Sequence, residues 1–336
     1  MTSQPRLVGE AESCRFGGRT LGGRTSNGNS SRNGKSSGVK SSGVKPSGAK
    51  AWLCSGDALP FLLLAPSILL ILAVLAYPML IGFSYGFSSG TLLKAGKFVG
   101  FANYVQLFRS PDFLNALWFS LVFAVFNVIG CYGLGLALAL LMNQSIPFRG
   151  FFRVALLLPW IVPSIVSIVS WRWMMADQHA LFNQIITAFG GSPIYFLSDE
   201  NWAVVAVIVI KIWRSFPFMM LSLLAALQSI DRSLYEAAAL DGASRWNRLR
   251  FITMPQLRNI SIVLCLLMTI WTVNDFDTPW LLTQGGPAYA TENLVLLAYR
   301  YTFGRSDVGL GSAVSFITLI ILMVLVLFLL RWQKER

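Results

Sequence analysis

Histidine is almost missing from this chain. His179 stands alone among 336 residues, and only 15 acidic side chains accompany it. Most catalytic chemistry needs a Ser/His arrangement, paired carboxylates or a His/Asp metal cluster, so this scarcity argues against an enzyme. Within the predicted membrane spans the one carboxylate pair is Asp275 with Asp277. No catalytic residue and no metal site is assigned. Cysteine is equally sparse: Cys14, Cys54, Cys131 and Cys265 form no CxxC pair, and two sit inside apolar runs. They are read as packing residues, not as a disulfide framework. Around Gly34-Lys35-Ser36 the chain approaches a phosphate-binding loop, but the glycine required five residues before Gly34 is Asn29, and no strand precedes it. No nucleotide or other cofactor is therefore assigned to this polypeptide. His179 lies in a loop without the titratable neighbours of a proton relay and is read as a solvated residue.

Charge is also in short supply. Only 12% of residues are charged and 55% are hydrophobic, whereas soluble domains carry roughly a quarter charged residues. The mean hydropathy is +0.60. The apolar residues fall in blocks such as 61–77, 118–142 and 313–330, close to the length of about 20 residues that a helix needs to cross a bilayer core. Helices satisfy their own backbone there, and the blocks lack the alternation of a β-barrel. The expected fold is all-α and polytopic, with six transmembrane helices near 59–83, 115–142, 151–175, 202–228, 259–282 and 309–331, in a permease domain of residues 57–336.

A net charge of +12 is compatible with a nucleic-acid partner. The distribution points instead to a lipid bilayer. With both termini inside, 19 of the 27 Lys and Arg residues fall on the cytoplasmic side, and six (Lys94, Lys97, Arg109, Arg172, Arg300 and Arg305) on the other. That bias is the positive-inside rule, so both termini are expected in the cytoplasm and no nucleic-acid partner is expected. Residues 1–56 differ from the rest: rich in Gly, Ser and basic side chains, with the imperfect repeat SSGVKSSGVKPSGAK. Such a segment cannot bury enough surface to offset its ordering entropy and is expected to be a disordered cytoplasmic tail.

The most informative stretch lies between spans 4 and 5, residues 229–255. Ser233 followed by Glu236 fits a capping box, and Glu236-Ala237-Ala238-Ala239-Leu240 is strongly helix-forming. Gly242 supplies a left-handed stop, Ser244 caps a second short helix, and Pro255 interrupts the chain ahead of span 5. Local rules thus predict two short helices meeting at an angle. They leave open whether this elbow is an ordinary amphipathic loop on the membrane surface or a lever that transmits movement.

The spacing Glu236-Ala237-Ala238, Gly242, Ile252, Met254-Pro255 resembles the signature loop of importer permeases in the ATP-binding-cassette superfamily. Met254 in place of the usual Leu is a volume-conserving departure. Residues 98–104 (Phe-Val-Gly-Phe-Ala-Asn-Tyr), Trp171-Arg172-Trp173, residues 213–218 (Trp-Arg-Ser-Phe-Pro-Phe) and residues 281–287 (Leu-Leu-Thr-Gln-Gly-Gly-Pro) look like landmarks of the maltose-type carbohydrate permeases. The similarity runs from about residue 58 to the end. It implies a coupling helix in which Glu236, Ala237, Ala238, Gly242 and Pro255 meet a separate ATPase. It also implies a second homologous permease, two ATP-binding-cassette subunits, an extracytoplasmic solute-binding protein and a sugar-like solute, in a bacterial cytoplasmic membrane. Alternating access is the mechanism implied.

For the solute's path, span 4 carries Lys211 and Arg214, each costing roughly 3 kcal/mol near a bilayer centre unless it faces the bundle interior or a wet cavity. Their spacing puts them on one face, which Ser215, Phe218 and Ser222 extend. Pro217 is expected to free the Trp213 carbonyl or to kink the helix. Asn274, Asp275 and Asp277 are the expected partners of the two cations. Sugars need hydrogen bonds and flat aromatic faces, so Trp213, Phe216, Asn274, Phe276 and Gln284 are the candidate lining. Pro159 and Pro163 are expected to bend span 3, and residues 176–201 with 281–287 to form the outer surface. Two alternatives remain: a glycerol-phosphate permease drawn by the two cations, and a stand-alone channel or secondary transporter, which would have no use for the elbow.

Overall fold

In the computed structural model the described residues are 59–334, apart from 92, 93, 95 and 177. The expected tail, residues 1–56, lies outside them, as do Cys14 and Cys54. The chain divides into the units Met1–Leu64 and Ala65–Arg336. All that follows, the start of the first helix apart, concerns the second.

Helices α1 (Leu59–Ile71) and α2 (Tyr77–Tyr85) flank a wide π turn at Leu72–Ala76. Then come α3 (Ala102–Arg109), α4 (Pro111–Met142), α5 (Arg149–Ile161), α6 (Ser164–Met175), α7 (Leu181–Ala188) and α8 (Glu200–Gln228). The elbow is α9 (Arg232–Leu240) and α10 (Arg245–Arg248). The remainder is α11 (Met254–Val273), α12 (Asp277–Thr283), α13 (Leu294–Tyr299) and α14 (Val308–Lys334). Among the described residues the only β features are the isolated bridges Ser88↔Phe98 and Thr91↔Lys94. The all-α expectation holds.

Among the described residues five helices are long and apolar enough to span a bilayer, and a sixth span arises if α5 and α6 count as one. That pair is bent by 89°. Pro163 causes the break, because a residue before proline is driven out of the α region, and Val162 is extended at φ −65°, ψ 132°. Pro159, expected to share the bend, is instead buried inside α5.

Span 5 departs further from expectation. A continuous helical stretch runs from Arg245 to Val273 and stops there, not at residue 282. Pro279 explains the early stop: it has no N–H to return to the Asp275 carbonyl, and Asn293 Nδ2 donates to that carbonyl at 2.6 Å. At the other end Pro255 does not interrupt the chain. It sits in the first turn of α11, behind a π turn at Leu249–Thr253 that continues the helix. Helix α8 likewise runs unbroken through Pro217.

The core is the seam between α4 and α8, closed by α11. Met142, Met219, Met220, Leu223, Leu257 and Met268 are buried there. Small residues let the backbones approach, as they do in membrane bundles: a Cβ added to Gly135 would lie 2.9 Å from Met219 Cγ. Polar contacts add specificity. Asn127 Nδ2 donates to Thr272 Oγ1 at 2.7 Å, and Tyr132 meets Ser261 at 3.1 Å. Leu69, Leu70, Leu72 and Leu75, by contrast, are exposed, as befits a surface turned to lipid or to another chain.

Candidate functional site

Two regions carry the residues singled out by sequence. The first is the elbow. Helix α9 is capped by Asp231, whose Oδ1 accepts from Ser233 N at 2.9 Å. The expected Ser233–Glu236 box is therefore corrected: the helix starts two residues earlier, Ser233 lies within its first turn, and Glu236 is exposed in mid-helix. The backbone N–H of Ser233, and then its hydroxyl, hydrogen-bond to the Asp231 carboxyl and hold it below the usual carboxylate range. At the other end Gly242 takes φ +75°, with Gly242 N donating to Ala239 O at 3.1 Å and Ala243 N to Ala238 O at 2.9 Å. This is the paired closure of a Schellman stop, available without strain only to glycine. Ser244 Oγ then accepts from Asn247 N at 3.2 Å and starts α10, as expected.

What the sequence did not signal is the anchor. Tyr235 Oη lies 2.9 Å from Thr253 Oγ1, and Thr253 is 3% exposed in the π turn below α11. The elbow is thereby tied to the base of a membrane span. No residue of α9 is buried. Glu236, Ala237 and Gly242 are exposed, Ala238 is half-buried, Pro255 is exposed, and Leu240 presents 90% of its surface. The elbow is thus fixed at its root and bare on its outer side.

The second region is the charged face of α8. Lys211 Nζ lies 3.0 Å from Asp275 Oδ2, with both side chains about nine-tenths buried. This is one of the expected pairs. Among the described residues Arg214 takes no acidic partner: its Nη1 donates to Thr278 Oγ1 at 3.4 Å and its Nε is buried without a partner. Asp277 is exposed and accepts from Ser164 Oγ at 2.7 Å, linking α12 to α6. Asn274 is exposed and donates to Ile270 O at 2.9 Å. Arg214, Ser215, Phe218 and Ser222 are half-buried and share one stripe with Lys211.

Among the aromatics, Trp213 meets Trp171 edge to face at 5.2 Å, and Phe218 meets Trp271 at 4.9 Å. Phe276 is half-buried and Gln284, in a left-handed conformation after α12, is exposed. Phe216 is the exception. At 6% exposed it belongs to the apolar seam with α4, so it is removed from the lining. Two residues from Arg214 on a helix is the far side, and that side packs the core. Phe218, which the spacing already put on the face of Lys211 and Arg214, meets Trp271 there, and Trp271 is the residue that sequence reasoning left out.

Residues 131–335 match the family model described as "Binding-protein-dependent transport system inner membrane component". The chain is 34% identical over 279 residues to the trehalose/maltose transport system permease protein MalF of Thermococcus litoralis, covering 83% of this chain and 94% of that one. It is 34% identical over 267 residues to the sulfoquinovosyl glycerol transport system permease protein SmoG of Agrobacterium fabrum, covering 79% and 87%. Among solved structures, a bacterial alginate ABC transporter in complex with an alginate pentasaccharide-bound periplasmic protein matches at TM-score 0.73 and 25% identity, over 83% of this chain and 96% of its own.

Proposed function

The chain belongs to the family of binding-protein-dependent transport system inner membrane components, and from that membership we propose that it is the membrane-spanning permease of an ATP-driven importer for a sugar or oligosaccharide. The observation that carries this reading is the bare elbow. A helix with no buried residue, stopped at Gly242 and anchored through Tyr235 to Thr253, has the form of a docking lever. The partners proposed are two ATPase subunits that grip the elbow, a second homologous permease facing the α8 stripe, and an extracytoplasmic solute-binding protein meeting the outer loops. ATP is hydrolysed on the ATPase subunits, and their closure turns the cavity from inward- to outward-facing.

Sugar as the solute is supported by the names of the relatives, which include trehalose/maltose and sulfoquinovosyl glycerol permeases. The pairing of Lys211 with Asp275 also removes one of the two cations on which the glycerol-phosphate alternative rested. The excess of basic residues on one side supports a cytoplasmic position for both termini and the elbow.

Uptake measured with the partner subunits tests the proposal. Glu236→Lys is expected to abolish ATP-dependent transport while the permease still reaches the membrane. Competition by glycerol phosphate, with none from neutral disaccharides, would overturn the sugar assignment. Undiminished uptake by Glu236→Lys, with no ATPase co-purifying, would overturn the coupling assignment.

A further inference from the structure

Beyond the stripe on α8, four rings stand in contact on the side where α11 ends. Phe276 stacks on Trp280 at 5.6 Å, and both meet Tyr299, at 5.0 and 5.2 Å. Tyr299 in turn meets Phe303 at 5.1 Å. Buried aromatic clusters of this kind are ordinary core, but this one is open: Tyr299 is 38% exposed and Phe303 61%.

Phe276, Tyr299 and Phe303 border a cavity of about 900 Å³ between α11, α13 with the turn that follows it, and α14. That volume lies within the range of about 300–1,000 Å³ typical of small-molecule sites. No charged side chain lines it. Three of its polar groups are of one kind, and the hydroxyls of Tyr299 and Thr302 stand beside them. Asn274 Nδ2 donates to Ile270 O, Ser315 Oγ to Gly311 O and Thr318 Oγ1 to Val314 O. Each spends a donor on its own helix and keeps acceptor lone pairs for whatever enters. A ligand suited to this wall has flat C–H faces for the rings and O–H donors for the oxygens, and needs no counter-charge. A phosphate fails on the last point. A lipid chain, with no donors, leaves the acceptors unused.

The shelf is braced from behind. Arg300, next to Tyr299, contacts Glu292 at 2.7 Å and Asp112 at 3.1 Å, and its guanidinium lies 3.9 Å from the centre of the Tyr289 ring. Asp112 opens α4 and also meets Arg305 at 3.1 Å. The turn bearing Tyr299 and Phe303 is therefore pinned to the start of a core span.

We propose that Phe276, Trp280, Tyr299 and Phe303 form an outer sugar subsite that stacks on a pyranose ring of an oligosaccharide, separate from the Lys211–Arg214 level. Asn274 and Phe276 join the two, while Trp280, Tyr299 and Phe303 belong to the shelf alone. The inference rests on the sugar-importer reading. It predicts that longer chains, which can occupy the shelf and the deeper level together, depend on it more than short ones.

The test uses the full importer in proteoliposomes, with binding protein and ATPase subunits, and with maltose, maltotriose and an alginate trisaccharide as probes. If none is carried and none competes, the sugar reading falls, and the subsite with it. With a transported trisaccharide, Tyr299→Ala is expected to raise KM about three- to tenfold with little change in kcat. Tyr299→Phe, which keeps the ring, is expected to stay near wild type, and the disaccharide to be less affected. Phe303→Ala, on the more exposed ring, gives the same readout if Tyr299→Ala does not assemble. An unchanged KM in both alanine variants overturns the proposal. So does an equal fall in kcat for every sugar, the result expected of rings that merely seat the protein at the membrane interface.

Discussion

Lys211 and Asp275 show how a membrane protein keeps a cation inside. Each charge alone is costly away from water, and the contact at 3.0 Å makes the pair tolerable. Asp275→Asn leaves the lysine unpaired and is expected to destabilise the protein by about 3 kcal/mol, read as thermal unfolding in detergent. The double change Lys211→Met with Asp275→Leu is expected to recover most of that loss, because no charge is then stranded. Glu292 presents the opposite case, outside the spans. Burial pushes its carboxyl up to about 7, and the positive charge of Arg300 offsets this only in part. The fold thus favours the protonated form. That contribution is complete below the ordinary carboxylate value of 4.5 and is lost as pH rises through about 7. The melting temperature is expected to decline across this window. In Glu292→Gln that part of the slope should vanish; an unchanged slope would show that another group titrates.

At the scale of elements, the elbow depends on a single left-handed residue. Gly242 has open space around it, so a side chain would meet no clash, yet φ +75° penalises any Cβ. Gly242→Val is expected to cost roughly 1–2 kcal/mol locally, and Gly242→Asn less, since asparagine tolerates that conformation. Hydrogen–deuterium exchange over residues 232–248 should rise in the valine variant, with α4 and α8 unaffected. Much of this element was legible in the sequence. Gly242 and Ser244 act as expected, because glycine and serine signals are local. The start of α9 was not, because Asp231 and Ser233 are both competent caps two residues apart. Asp231 is the one in place, and α9 is then held by the Tyr235–Thr253 contact, which joins residues 18 apart.

For the molecule as a whole, the open surfaces are those that the proposed assembly and a bilayer cover. Leu240 and Trp246 lie open on the elbow, and the leucines of α1 and the following turn lie open along the first span. In inside-out membrane vesicles, Leu240→Cys, with the native cysteines replaced by serine, is expected to react with an impermeant maleimide and to be protected once the ATPase subunits bind. Labelling confined to right-side-out cells would reverse the proposed topology and separate the elbow from any cytoplasmic engine.

Composition by itself determined the class, since long apolar blocks admit helices and little else in a bilayer, and the spacing around Gly242 was enough to mark the elbow. Tertiary structure decided what depends on phase and on distant contacts. It placed Phe216 in the seam with α4 and brought Trp271 against Phe218 on the open side. It ended span 5 at Val273, where Asn293 takes up the carbonyl that Pro279 leaves free. It gathered Phe276, Trp280, Tyr299 and Phe303 from two short helices and the turn after them. Hydropathy averages over a helix and does not report which way any one side chain faces, and proline chemistry states that a bond is lost without saying which distant group replaces it.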